Sequence, residues 1–109
     1  MGTPEFSIPT LEELNKAQHK IVCVYTQPSK KKSRGQKVVS SPVSLVAKKM
    51  NIEVRTPFDL NSIDEYNYIK DSKPDLVIVV AYGQIIPERI LKLDNIKFIN
   101  IHASLLPKW

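Results

Sequence analysis

The chain has 109 residues, one domain's worth at most, with 42% hydrophobic and 25% charged residues, an ordinary balance for a soluble globular protein. Its single cysteine, Cys23, has no internal partner, so a disulfide-stapled fold is excluded and a reducing compartment fits. No stretch approaches the roughly 20 apolar residues of a membrane span, the start lacks a signal-peptide pattern, and the net charge of +5 has one source: Lys30, Lys31, Lys32, Arg34 and Lys37 lie within eight residues, and setting them aside leaves 11 basic against 11 acidic residues.

Gly2-Thr3-Pro4 is turn chemistry, and Thr3 before Pro4 and Glu5 reads as a helix start. Ile8, Leu11 and Leu14 supply an apolar stripe. Thr10 and Glu13, after Pro9, fit a capping box, so the helix begins or restarts there and ends near Ala17-Gln18-His19. Residues 20–27 hold Ile21-Val22-Cys23-Val24-Tyr25, short and β-branched as a strand buried on both faces is. Residues 29–40 read as a loop without apolar periodicity. Its charge run is either a solvated loop or a phosphate-binding one, in which clustered Lys and Arg meet an RNA backbone and Gly35 gives flexibility. No aromatic residue interleaves, so base stacking is not supported.

Ser41-Pro42 opens the next helix as N-cap and first-turn proline, with Val43, Val46, Ala47 and Met50 on its apolar face and Lys48 and Lys49 pointing away. Ile52-Glu53-Val54 is a brief strand ended by Pro57. Leu60, Ile63, Tyr66 and Ile69 mark a third helix, capped by Asn61 or Asp59. Leu76 to Ala81 is the strongest strand, apolar throughout, and Tyr82-Gly83-Gln84 lies just past its end. Pro87 starts a short helix with Ile90, Leu91 and Leu93 inward; Asn95 ends it, and Phe98 to His102 forms the last strand.

Helices alternating with short buried strands imply an α/β fold, an open parallel sheet with right-handed crossovers and flanking helices. There is no internal repeat, no Gly-rich phosphate fingerprint and no metal-ligand spacing, and His19 at a helix end is given no role. In an open parallel sheet, ligands bind at the carboxyl ends of the strands. At the end of the last strand, Asn100 and His102 project from one face and Ile99 and Ile101 from the other. A neutral amide polarises a carbonyl while an imidazole moves a proton. On residue type alone, a structural histidine satisfied by its neighbours is the commoner outcome at such a position.

Three blocks carry a resemblance: the opening Met1-Gly2-Thr3-Pro4-Glu5-Phe6; Thr26-Gln27-Pro28 with the basic loop and Ser41-Pro42-Val43; and Ala81-Tyr82-Gly83-Gln84-Ile85-Ile86-Pro87 with Asn100-Ile101-His102-Ala103-Ser104-Leu105-Leu106-Pro107. In order and spacing they resemble the methionyl-tRNA formyltransferase family over the full length of the chain. The resemblance implies a Rossmann-like formyltransferase fold and transfer of the formyl group of 10-formyltetrahydrofolate to the α-amino group of methionyl-initiator tRNA. It makes Asn100 the stabiliser of the developing oxyanion and His102 the proton carrier. It makes Ser104, Leu105, Leu106 and Pro107 the folate-contacting turn, with Tyr82, Gly83 and Gln84 lining the same cleft. Lys30, Lys31, Lys32, Arg34 and Lys37 become contacts to the tRNA acceptor end, Arg34 foremost. No metal is implied, and the whole protein is expected to be a cytoplasmic (or organelle-matrix) monomer.

The resemblance also implies that residues 1–109 are a partial N-terminal catalytic domain. In the family a central strand precedes Met-Gly-Thr-Pro and separates the strand at residues 21–25 from that at 76–81. A catalytic Asp and a C-terminal tRNA-binding barrel lie further on. Each buried unpaired backbone group costs roughly 1–3 kcal/mol, so the chain by itself is expected to be marginally stable and inactive. Three other readings stand beside this one: a formyltransferase acting on glycinamide ribonucleotide or on a nucleotide-linked amino sugar, a non-catalytic Rossmann-like RNA-binding module, and an inactive truncated product. The basic loop speaks against the small-substrate enzymes, and the Asn100–His102 pair against a mere RNA-binding module.

Overall fold

The computed structural model describes residues 1–2, 7–28, 30–31, 38–39 and 41–101, the pairs at 30–31 and 38–39 by their backbone alone. Helix α1 spans Ile8–Lys16, with Ser7 at the N-cap and Pro9 in its first turn. The start thus lies ahead of the capping box expected at Thr10, and the start expected at Thr3 falls outside the described residues. Strand β1 is Val24–Tyr25, shorter than the run at 21–25, because only these two residues pair with a described strand. The segment expected as a plain loop contains a small antiparallel ladder, β2 (Lys30–Lys31) with β3 (Val38–Val39), in the register Lys30↔Val39 and Lys31↔Val38.

Helix α2 (Pro42–Lys49) begins as its sequence dictates: Pro42 takes the first turn, and the Ser44 N–H donates to the Ser41 hydroxyl at 3.1 Å. Strand β4 is Val54–Arg55. Helix α3 (Ile63–Ser72) is capped by Ser62, whose hydroxyl accepts from the Glu65 N–H at 3.3 Å. Neither Asn61 nor Asp59 is the cap; the Asp59 carboxylate instead accepts from the Asn61 N–H, forming a local turn. Strand β5 is Leu76–Val80, helix α4 Glu88–Leu91 and strand β6 Lys97–Ile101. In α4, Ile90 is fully buried but Leu91 is 45% exposed, so only part of the inward stripe expected there is inward.

β1 pairs with β4 and β5 with β6, both in parallel. Met1 and Gly2 sit between the two pairs. The Gly2 N–H donates to the Tyr25 carbonyl at 2.9 Å, and the Val80 N–H donates to the Met1 carbonyl at 2.8 Å. The spatial order is therefore β4, β1, residues 1–2, β5, β6, an α/β fold with an open parallel sheet. Apolar clusters form on its two faces. Leu11, Val24, Val43 and Ala47 pack beneath α1 and α2. Tyr25, Leu60, Ile69, Val79, Tyr82 and Ile90 pack beneath α3 and α4. Adjacent residues Val24 and Tyr25 fall in different clusters, as alternation along a strand requires.

Among the described residues one charged side chain, Glu65, is buried within this framework. Glu65 accepts from Arg55 Nε at 2.9 Å and Nη2 at 3.3 Å, and from the Tyr25 hydroxyl at 2.7 Å. The Arg55 guanidinium also stacks over the Tyr68 ring at 3.9 Å. The cluster ties α3 to β1 and β4.

Candidate functional site

The site begins with register. β5 and β6 pair from Leu76↔Lys97 to Val80↔Ile101, so the two strands finish together. Past β5 the backbone turns sharply: Ala81 has φ +47° and Gly83 φ +96°, both left-handed. Tyr82 between them is only 2% exposed and roots the turn in the core. Burial pushes its phenol up to about 12, so it stays neutral.

Gln84 fixes the rest of the turn. Its carbonyl oxygen accepts from the Leu60 N–H at 3.1 Å, and its amide nitrogen donates to the Gln27 side-chain oxygen at 3.0 Å and the Pro57 carbonyl at 3.0 Å. Both amide hydrogens of Gln84 are thus committed to the protein. One side chain joins the carboxyl-terminal exits of β1, β4 and β5. Gly83 makes room for it, because a Cβ there would collide with the Gln27 amide. Gln27 also marks the base of the basic segment, whose far end is held by the Thr26–Ser41 hydroxyl pair at 2.7 Å. The β2–β3 ladder therefore rises from the same edge of the sheet as the turn at 82–84.

Asn100 lies opposite Val79, near the end of β6, and is exposed. Its amide is open to a ligand at the edge where the turn sits. Of the residues singled out from the sequence, the structure brings together Asn100, Tyr82, Gly83 and Gln84, with the backbone of Lys30 and Lys31 at the same end of the sheet. His102, Ser104, Leu105, Leu106, Pro107, Lys32, Arg34 and Lys37 lie outside the described residues. Tyr82 and Gln84 face into the protein and shape the turn from beneath. Among the described residues no group of three or more His, Cys, Asp or Glu could hold a metal ion.

Sequence reasoning gave no role to Phe58, to Glu65 or to the Gln27 side chain. Gln27 belongs to the Thr26-Gln27-Pro28 block, but its side-chain bond to Gln84, 57 positions away, has no local signal. Phe58, 89% exposed, had no role assigned, whereas Ile85, 92% exposed, stands in the sequence block of the turn at 82–84; the two follow the segments that Gln84 ties together. Their signal was an apolar residue placed in a turn, where no helix or strand period calls for one. Glu65 had a legible signal: it precedes Ile69 by one helical turn and shares its buried face.

A family model described as "Formyl transferase" matches residues 1–109. Among curated proteins, the chain is 56% identical over 110 residues to a methionyl-tRNA formyltransferase of Pelagibacter ubique, covering all of this chain and 36% of that protein. It is 51% identical over 109 residues to one of Alkaliphilus oremlandii, covering all of this chain and 35% of that protein. It is 50% identical over 109 residues to one of Prochlorococcus marinus subsp. pastoris, covering 99% of this chain and 33% of that protein. The chain spans about a third of the length of the curated relatives it matches.

Proposed function

Because the chain belongs to the formyl transferase family, we propose that it forms the N-terminal catalytic portion of a methionyl-tRNA formyltransferase, transferring the formyl group of 10-formyltetrahydrofolate to the α-amino group of methionyl-initiator tRNA. The observation that carries this reading is the exposed Asn100 amide at the carboxyl end of β6, beside a turn locked by Gln84. The folate supplies a formyl carbon already activated on nitrogen. The exposed edge suits such a donor: an amide to meet the formyl oxygen, and Phe58 and Ile85 as apolar surface for a flat ring system.

Asn100 donates its amide N–H to the oxygen that gathers negative charge as the amine attacks. A donor of this kind is worth roughly 100- to 1,000-fold in rate. His102 takes up the proton released by the attacking nitrogen and returns one to the folate nitrogen as its bond to the formyl carbon breaks. Ser104, Leu105, Leu106 and Pro107 contact the folate. Lys30, Lys31, Lys32, Arg34 and Lys37 grip phosphates of the acceptor end. The working protein is a cytoplasmic monomer. Among the described residues no helix is long and apolar enough to cross a membrane.

The test is a chimera in which these residues replace the matching portion of the Pelagibacter ubique relative. It is assayed with 10-formyltetrahydrofolate against methionyl-tRNA and, separately, against a nucleotide-linked amino sugar. Formylation of the tRNA alone is the expected result. Formylation of the sugar alone would retain the chemistry and overturn the substrate.

A further inference from the structure

Gln27 stands at the joint between the sheet and the cationic segment. The residue before it, Thr26, is fully buried, and its N–H donates to the Arg55 carbonyl at 3.2 Å. The end of β1 is thereby fixed against β4. Three residues past Gln27, Lys30 opens the β2–β3 ladder. Pro28 lies between them, and a proline ring locks its own φ and confines the residue before it to extended backbone. With those torsions restricted, a hold on the Gln27 side chain sets the direction in which the chain leaves the sheet.

The half-buried Gln27 side chain is held in this way, against the turn at 82–84. Its Oε1 accepts from Gln84 Nε2 at 3.0 Å, and its amide nitrogen lies where a Cβ on Gly83 would stand. The turn depends less on Gln27 than Gln27 does on the turn. Gln84 also bonds the Leu60 N–H and the Pro57 carbonyl, so without Gln27 the turn retains two anchors. The returning limb is tied separately, by the Ser41 hydroxyl that meets Thr26 at 2.7 Å and caps α2. Gln27 is also neutral. An uncharged acceptor fixes the outgoing limb and subtracts nothing from the positive field of Lys30, Lys31, Lys32, Arg34 and Lys37.

We propose that Gln27 is a positioning residue for the tRNA substrate: lying on the 82–84 turn, it aims the cations of the 30–37 segment along the edge where Asn100 stands. This role rests on the reading of that segment as the tRNA contact. Gln27 touches neither substrate and acts through the limb it starts. The segment grips the molecule that carries the amine, and the turn shapes the place of the formyl donor. Reacting atoms must meet at about 3–3.5 Å, and a misplacement of about 1 Å costs on the order of 100-fold. A side chain that joins the two grips therefore governs how often the amine arrives in line with the formyl carbon.

The test is a double-mutant cycle in the chimera. Its four members are the parent, Gln27→Leu, the variant with Lys30, Lys31, Lys32, Arg34 and Lys37 all changed to Ser, and the combination. In the parent background Gln27→Leu should lower kcat/KM for methionyl-tRNA by ~10-fold. The folate KM should stay within about two-fold, because Gln84 keeps its bonds to Leu60 and Pro57. In the five-Ser background the same substitution should cost less than about two-fold, since the limb it aims no longer carries charge. Where Gln27→Leu does not fold, Gln27→Met takes its place, with a similar length and no strong acceptor. An equal fall in both backgrounds would make Gln27 a structural residue of the turn and overturn the proposal. A rise in folate KM as large as the loss on tRNA would also overturn it. A five-Ser effect on tRNA with no effect of Gln27→Leu overturns this role alone. No effect of the five-Ser change overturns the tRNA reading of the segment and this role with it.

Discussion

Glu65 shows how one buried charge organises its neighbours. Burial raises its carboxyl pKa, but the hydrogen bonds from Arg55 and Tyr25 outweigh that and hold it below its ordinary value of 4.5. An acid whose pKa is depressed on folding contributes stability above its unfolded pKa and loses it as pH falls through the folded value. Stability should therefore decline on acidification below pH ~4.5, and a Glu65→Gln variant should show a flatter acid limb. Glu65→Ala leaves Arg55 and the Tyr25 hydroxyl without their shared acceptor and should cost about 3 kcal/mol by urea denaturation. On the alkaline side, burial pushes the Cys23 thiol from 9.0 up to about 11. The unfolded thiol ionises first, so stability should fall again between pH 9 and 11, and Cys23→Ala should remove part of that slope.

At the scale of elements, the turn at 82–84 and the caps of α2 and α3 set the edge on which the site is built. Gly83→Ala forces a Cβ toward the Gln27 amide at a left-handed φ of +96°. It should destabilise the fold by roughly 1–3 kcal/mol and raise the folate KM of a full-length chimera more than it lowers kcat. Ser41→Ala removes the α2 cap and its hydroxyl contact with Thr26, a loss of about 1 kcal/mol in thermal or chemical unfolding. These elements differed in how openly the sequence declared them. Ser41-Pro42 was legible because a cap and a first-turn proline are local signals. The α3 cap was misplaced because Asp59, Asn61 and Ser62 are all capping residues, and the choice among them depends on where Glu65 must point. β1 proved shorter than its apolar run because a strand's extent depends on its neighbours, which the run itself does not encode. The Gln27–Gln84 pair joins residues 57 positions apart, a distance over which no periodicity speaks.

For the whole molecule, the sheet order places the turn, the base of the basic segment and Asn100 at one edge, the carboxyl end where α/β sheets take their ligands. Alternation of helices and strands already implied that arrangement. The pairing of residues 1–2 with both halves of the sheet was visible only in three dimensions. If the five cations at positions 30–37 grip tRNA phosphates, replacing all five by Ser in the chimera should flatten the dependence of tRNA binding on salt. The log–log slope should fall by roughly 0.7–0.9 for each phosphate that is no longer neutralised, leaving the folate KM unchanged. An unchanged slope would return the segment to a solvated loop.

The most direct test falls on Asn100. In the chimera, formyl transfer to methionyl-tRNA is compared between the parent and Asn100→Ala under saturating 10-formyltetrahydrofolate. A fall in kcat of roughly 100- to 1,000-fold with tRNA and folate KM little changed is the predicted result, because the amide acts on charge that develops only in the transition state. A kcat within a few-fold of the parent would contradict it and remove the strand-end amide from the chemistry.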